Sequence, residues 1–146
     1  MNLYDVFPFD AADVDLKEAL SLLNDLSLPV GHRRRRLPAQ DMMDDALRLI
    51  DRAVDGLTRF GTDIVDAGED STAAHGLAFC SAPSCIDADA LTAAQALSAA
   101  RMALRELWER SGSSVLPAGA ISAIESVFPG PFKDRLDIEQ SALDAF

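Results

Sequence analysis

Apolar residues recur at alternating steps of three and four through Ala90, Ala93, Leu97, Ala100, Leu104 and Leu107, the spacing of one α-helix face. Ala94 and Trp108 widen that stripe on one flank, and Ala96 and Ala103 on the other. Gln95, Ser98, Arg105, Glu106 and Glu109 fall on the opposite side. Ala90–Arg110 therefore reads as a core helix around which the rest is organised, with its small residues inviting close backbone approach. No catalytic group sits on the stripe.

The same period predicts other helices. Leu16, Ala19, Leu20, Leu23 and Leu26 share a face, with Asp15 and Glu18 in capping-box spacing at the start and Pro29 and Gly31 at the end. A second helix runs from Pro38 or Asp41 to Val65, its row being Met43, Leu47, Ile50, Val54, Leu57 and Ile64. Asp44–Arg48, Asp55–Arg59 and Arg59–Asp63 are spaced to pair on its wet side, and Gly56 and Gly61 weaken its second half. Residues 67–88 read as a long connection punctuated by Gly, Ser and Pro, with Leu77, Ala78 and Phe79 tucked into the core. A short helix follows from Pro117 to Phe128 and stops at Pro129-Gly130-Pro131.

The ends differ from this plan. Leu3, Tyr4, Val6, Phe7 and Phe9 crowd the first nine residues, and Pro8 reads as a block to helix. The segment is expected to be an arm that either folds back over the chain's own helices or docks on a neighbouring subunit. The tail admits two readings: one more helix through Phe132, Leu136, Leu143 and Phe146, or an acidic extension that binds another chain. The expected architecture is all-α, a small bundle of four to five helices with an extended N-terminal arm (1–12), a helical domain (13–128) and a C-terminal extension (129–146).

Composition sharpens the picture. The 146 residues are 49% hydrophobic but only 6% aromatic, with alanine filling much of the apolar share, which favours helix over sheet. No run approaches the roughly 18 apolar residues of a membrane span, and the start lacks a basic region of signal-peptide type. The expectation is a cytoplasmic or virion protein, neither secreted by a signal peptide nor transmembrane. The net charge is −11, which opposes general affinity for nucleic acid. Four of the thirteen basic residues are the run Arg33-Arg34-Arg35-Arg36, so the remainder carries −15.

That run is the most unusual local composition. Four arginines on a loop suit bidentate contacts to an acidic protein surface or to phosphates, and they equally suit a solvated loop that offsets an acidic molecule. His75, Cys80 and Cys85 are spaced H-x4-C-x4-C, a candidate metal set that departs from structural-zinc spacing, so the cysteines read first as free thiols. No cofactor is called for. Leu3, Tyr4, Phe7, Phe9, Arg33, Arg34, Arg35, Arg36, Phe132 and Phe146 are the expected partner-binding residues.

Two stretches resemble the small helical head–tail connector (adaptor) proteins of tailed bacteriophages. In residues 16–62, Glu18-Ala-Leu-Ser-Leu-Leu-Asn-Asp25 precedes the longer Asp44-Asp-Ala-Leu-Arg-Leu-Ile-Asp-Arg-Ala-Val54. In residues 99–128, Leu107-Trp-Glu-Arg110 leads into Leu116-Pro-Ala-Gly119 and a closing helix. The likeness covers about half the chain. It does not extend to the arginine run, the cysteine-bearing connection or the tail after Pro129. It implies a ring-forming structural subunit between portal and tail, without enzymatic activity.

Three function classes follow. The first is a non-enzymatic assembly or interaction protein, homo-oligomeric or part of a larger assembly, with Arg33–Arg36 touching an acidic neighbour or DNA. The second is an acidic regulatory or inhibitory binder whose aspartate rows occupy a partner's nucleic-acid-binding surface. The third is a small Cys/His metal-binding protein.

Overall fold

The computed structural model describes residues 3–75, 81–127 and 133–145, and side chains at 3–62, 90–117, 119–127 and 133–145. Among these residues the chain is all-helical. Five α-helices follow one another: α1 Pro8–Leu26, α2 Ala39–His75, α3 Ser81–Arg110, α4 Ala118–Glu125 and α5 Lys133–Asp144. Single 3-10 turns at Leu3–Asp5 and Val30–His32 flank α1. The long α2 packs on both α1 and α3, while α1 also meets α4 and α5. The central helix is thus α2, which packs against both α1 and α3. No helix among the described residues is long and apolar enough to cross a membrane.

The helical stripes supply the core. Ala90, Ala93, Ala94, Leu97, Ala100, Leu104 and Trp108 of α3 are buried, so the Ala94–Trp108 flank turns inward while Ala103 on the other flank is exposed. They meet Met43, Leu47, Ile50, Ala53 and Leu57 of α2, joined by Met42, which the simple row omits. From α1 come Phe9, Ala12, Leu16, Ala19, Leu23 and Leu26, from the α3–α4 connection Leu116, and from the later helices Ile121, Ile124 and Leu136. The Trp108 indole N–H donates to Gln40 Oε1 at 3.1 Å, so the aromatic packs inward with its polar edge satisfied. The end of α3 follows the sequence closely. Gly112 takes φ +78°, its N–H donates to Glu109 O and the Ser113 N–H to Trp108 O, the paired bonds of a Schellman motif.

Several boundaries differ from the sequence reading. The first helix begins at Pro8, not Asp15, because a proline at the first helical position loses an N–H that would have no partner anyway. Asp15 is no cap; it lies inside α1, buried, and accepts the Tyr4 hydroxyl at 2.6 Å. The second helix continues past Val65 to His75, and neither Gly56 nor Gly61 stops it. Most of the expected 67–88 connection is helix as well, since α3 starts at Ser81 with Pro83 in its first turn, where proline is tolerated. Leu77, Ala78 and Phe79 lie outside the described residues. On the wet face of α2, Arg48 pairs with Asp45 at 3.3 Å, and Asp44 accepts from Gln40 instead. The tail resolves in favour of helix: α5 seats Leu136 against the core, with Leu143 half-buried.

Gly56 has a specific reason to be glycine. A Cβ built there would stand 2.3 Å from Tyr4 Cδ1 and 2.5 Å from Cγ, so the ring of Tyr4 lies directly on the α2 backbone. Burial, the hydrogen bond to Asp15 and the Asp15 charge all push the Tyr4 hydroxyl well above its usual value, and Arg52 opposes them weakly. It therefore stays a donor at any ordinary pH. Arg52 completes the set with an ion pair to the other Asp15 oxygen at 3.5 Å.

The start of α1 is capped from the far end of the chain. Phe7 precedes the helix and offers no side-chain cap. The N–H groups of Phe9 and Asp10 donate to the Glu139 carboxylate of α5, at 2.7 Å for Asp10, at the two positions an N-cap side chain would normally serve. Partial burial pushes Glu139 up, the two N–H donors oppose it, and the Asp10 charge adds to the rise, leaving it at about 7. An acid whose folded value is raised contributes stability that is complete below its unfolded value of 4.5 and is lost as pH rises through 7. Denaturant titrations should therefore show stability falling by on the order of 1–3 kcal/mol between pH 4.5 and 8 through this group, discounted for its partial exposure. Glu139→Gln should flatten that slope.

Candidate interaction surface

The connection between α1 and α2 carries the basic run, and it is held in place rather than loose. Asp25, one residue before the end of α1, is buried. Its two carboxylate oxygens accept the backbone N–H groups of Arg34 at 2.7 Å and Arg35 at 3.0 Å. Burial pushes Asp25 up, but those N–H groups and the guanidinium charges of Arg35 and Arg33 outweigh it, and the carboxyl ends below its usual range. An acid in the last turn of a helix opposes the helix dipole, so the arginine loop offsets a local conflict.

The four arginines divide into two pairs. Arg33 turns back: its guanidinium donates to the carbonyls of Leu26, Leu28 and Ser114, covering the C-terminal end of α1 and tying it to the α3–α4 connection. Nearby, the Leu116 N–H donates to Leu26 O at 2.9 Å. Arg35 also turns back, onto Ser21 Oγ at 3.1 Å and Glu18 Oε1 at 3.4 Å of α1. Arg34 and Arg36 are exposed, and among the described residues their side chains have no partner. Around them stand exposed apolar side chains. Val30 is 69% and Leu37 50% exposed, with Leu28 and Val115 beside them in sequence or across the Arg33–Ser114 tie. The result is one projection, basic and greasy, on a braced backbone.

The N-terminal candidates behave differently. Tyr4 and Phe9 are buried in the chain's own core, Phe7 is half-buried, and Leu3 is exposed at 40% with Val6 beside it. Of the two readings of this segment, folding back over the chain's own helices describes Tyr4 and Phe9. Phe132 and Phe146 lie outside the described residues, as do Cys80 and the side chains of His75 and Cys85. Among the described residues no group of three or more His, Cys, Asp or Glu is placed to hold a metal ion.

Among the described residues, two open grooves run along α2. The larger, of about 490 Å³, lies between α2 and α3 and is lined by Gln40, Arg48, Asp51, Arg101, Arg105 and Trp108. Its charges are mutually engaged: Arg101 Nε sits 2.6 Å from Asp51 Oδ1 as an ion pair without hydrogen-bond alignment, and Arg105 pairs with Glu109 at 3.4 Å. The smaller, about 300 Å³, is bounded by Tyr4, Arg52, Asp55, Gly56 and Arg59. Residue type alone identified Arg34 and Arg36. It missed Asp25, whose signal was an acid in the last turn of the first helix, where it opposes the dipole, and it missed Val30 and Leu37 as part of the same surface.

No protein-family model, no curated protein and no solved structure matches this chain.

Proposed function

We propose that this chain is a non-enzymatic assembly protein that binds other protein subunits through the 28–37 loop. In the narrower form implied by the resemblance to phage connectors, it is a subunit set between portal and tail. One observation carries the reading: Asp25 and Arg33 immobilise the loop backbone while Arg34, Arg36, Val30 and Leu37 point away from the bundle. A surface ordered before binding loses little conformational entropy on docking. Arginine beside exposed apolar groups is the composition of an interface centre rather than of a solvated loop.

Two alternatives fare less well. A phosphate clamp would use all four guanidinium groups, and Arg33 and Arg35 are engaged with the chain's own oxygens. A nucleic-acid mimic would use the aspartate row of α2, in which Asp45 and Asp51 are already paired with Arg48 and Arg101. Native mass spectrometry of the untagged full chain tests the proposal. It should give species at integral multiples of 15.7 kDa or a stoichiometric complex with another subunit. A monomer alone at every concentration, with no bound subunit, would overturn it.

A further inference from the structure

On the reading of the 28–37 loop as a protein-binding surface, the structure identifies the partner it fits. We infer that the loop docks on the outward face of α5 in a second copy of this chain, joining copies head to tail.

The complement is visible on α5 itself. Leu136 and Glu139 turn toward α1, which leaves Asp134, Asp137, Ile138, Ser141 and Asp144 outward, all exposed. Ile138 is 59% exposed, an apolar centre with Asp134 one turn before it, Asp137 next to it and Asp144 further along, while Lys133 and the half-buried Arg135 are the cations of the helix. The loop presents the inverse arrangement, with Val30 and Leu37 as the apolar centre and Arg34 and Arg36 as the charges. Basic and greasy therefore meets acidic and greasy. Such complementarity speeds encounter and sets register, and the apolar centres supply burial.

The two surfaces cannot satisfy each other within one molecule. The loop is anchored at Asp25, at the C-terminal end of α1, and α5 is anchored at Asp10, at the N-terminal end. Sixteen residues of helix separate Asp10 from Leu26, a span of roughly 24 Å at 1.5 Å per residue. Two different patches at opposite ends of one rigid helix make a heterologous contact, the kind that closes into a ring or runs on as a filament. Among the described residues, the carboxylates Asp45, Asp51 and Glu109 on α2 and α3 already hold arginine partners and are less available to a second copy.

The experiment is charge exchange followed by sedimentation velocity over a concentration series. Arg34→Glu with Arg36→Glu should weaken self-association about 10- to 100-fold, and Asp134→Arg with Asp137→Arg should do the same. Mixing the two variants, or placing all four substitutions in one chain, should restore association. Circular dichroism of each variant checks that the exposed substitutions leave the helices intact. If wild-type chains associate but neither exchange alters the constant, the loop–α5 contact is wrong while the assembly reading survives. If wild-type chains do not self-associate yet bind another subunit through Arg34 and Arg36, the second-copy inference falls and the function stands. If they bind nothing, both fall.

Discussion

Asp25→Ala is expected to lower stability by about 2–4 kcal/mol, a fall in Tm of roughly 5–15 °C. The side chain is small and lies at a helix end, so lost packing accounts for little of this. The larger effect is on the Arg34 and Arg35 N–H groups, which lose a shared charged acceptor at 2.7 and 3.0 Å. Arg33 and Arg35 lose a counter-charge at the same time. The change has a second signature. Asp25 is held below its usual carboxyl range, so its contribution is present above the unfolded value of 3.8 and is lost as pH falls through the lower folded value. Urea titrations of the wild type should show that acid-side loss, and the variant should show less of it. Amide exchange at Arg34 and Arg35 should accelerate in the variant while exchange in the middle of α2 changes little at equal overall stability. Unchanged exchange in the loop would mean that Asp25 does not brace it.

Gly56→Ala sets two effects of opposite sign against each other. In an exposed helix interior, alanine for glycine is worth about 1 kcal/mol in favour of the helix. Here the added methyl would sit 2.3–2.7 Å from three atoms of the Tyr4 ring, including Cγ, so the ring could clear it only by a χ1 rotation out of its buried seat or a shift of the Leu3–Asp5 turn. Displacing the ring also separates its hydroxyl from Asp15. Overpacking and the lost charged hydrogen bond together outweigh the propensity gain, and the net result is a loss of about 2–4 kcal/mol. A double-mutant cycle tests the assignment directly. In a Tyr4→Ala background the obstacle is gone, so Gly56→Ala should become neutral or stabilising by up to about 1 kcal/mol. If Gly56→Ala destabilises equally in both backgrounds, the ring is not the reason for the glycine.

These two sites also show where reading the chain from its residues succeeds and where it stops. Helical period is a local property, so the α3 stripe, the α2 row and the face of α1 could be read directly. Three of the failures involve a partner distant along the chain. Pro8 read as a helix block because proline breaks a helix interior, yet it stands at the first helical position, in a turn that Glu139 caps from α5. Asp15 read as a cap because its neighbours fit a capping box, yet Tyr4 and Arg52 draw it inward. Gly56 read as a weak point in α2, and it is the seat of an aromatic ring. At the candidate surface, composition marked four arginines as equivalent. Only contacts with Ser21, Glu18 and the carbonyls of Leu26, Leu28 and Ser114 separate the two that brace from the two that project.

The bracing has an order built into it during synthesis. Asp25, Ser21 and Glu18 all precede Arg34 and Arg35 in the chain, so that half of the clamp can close while the ribosome is still extending α2. Arg33 must wait for the carbonyl of Ser114, which emerges only after α3 is complete. A nascent chain therefore has its loop tethered early to α1 alone, and the projection reaches its finished shape only when the helix after next has been made.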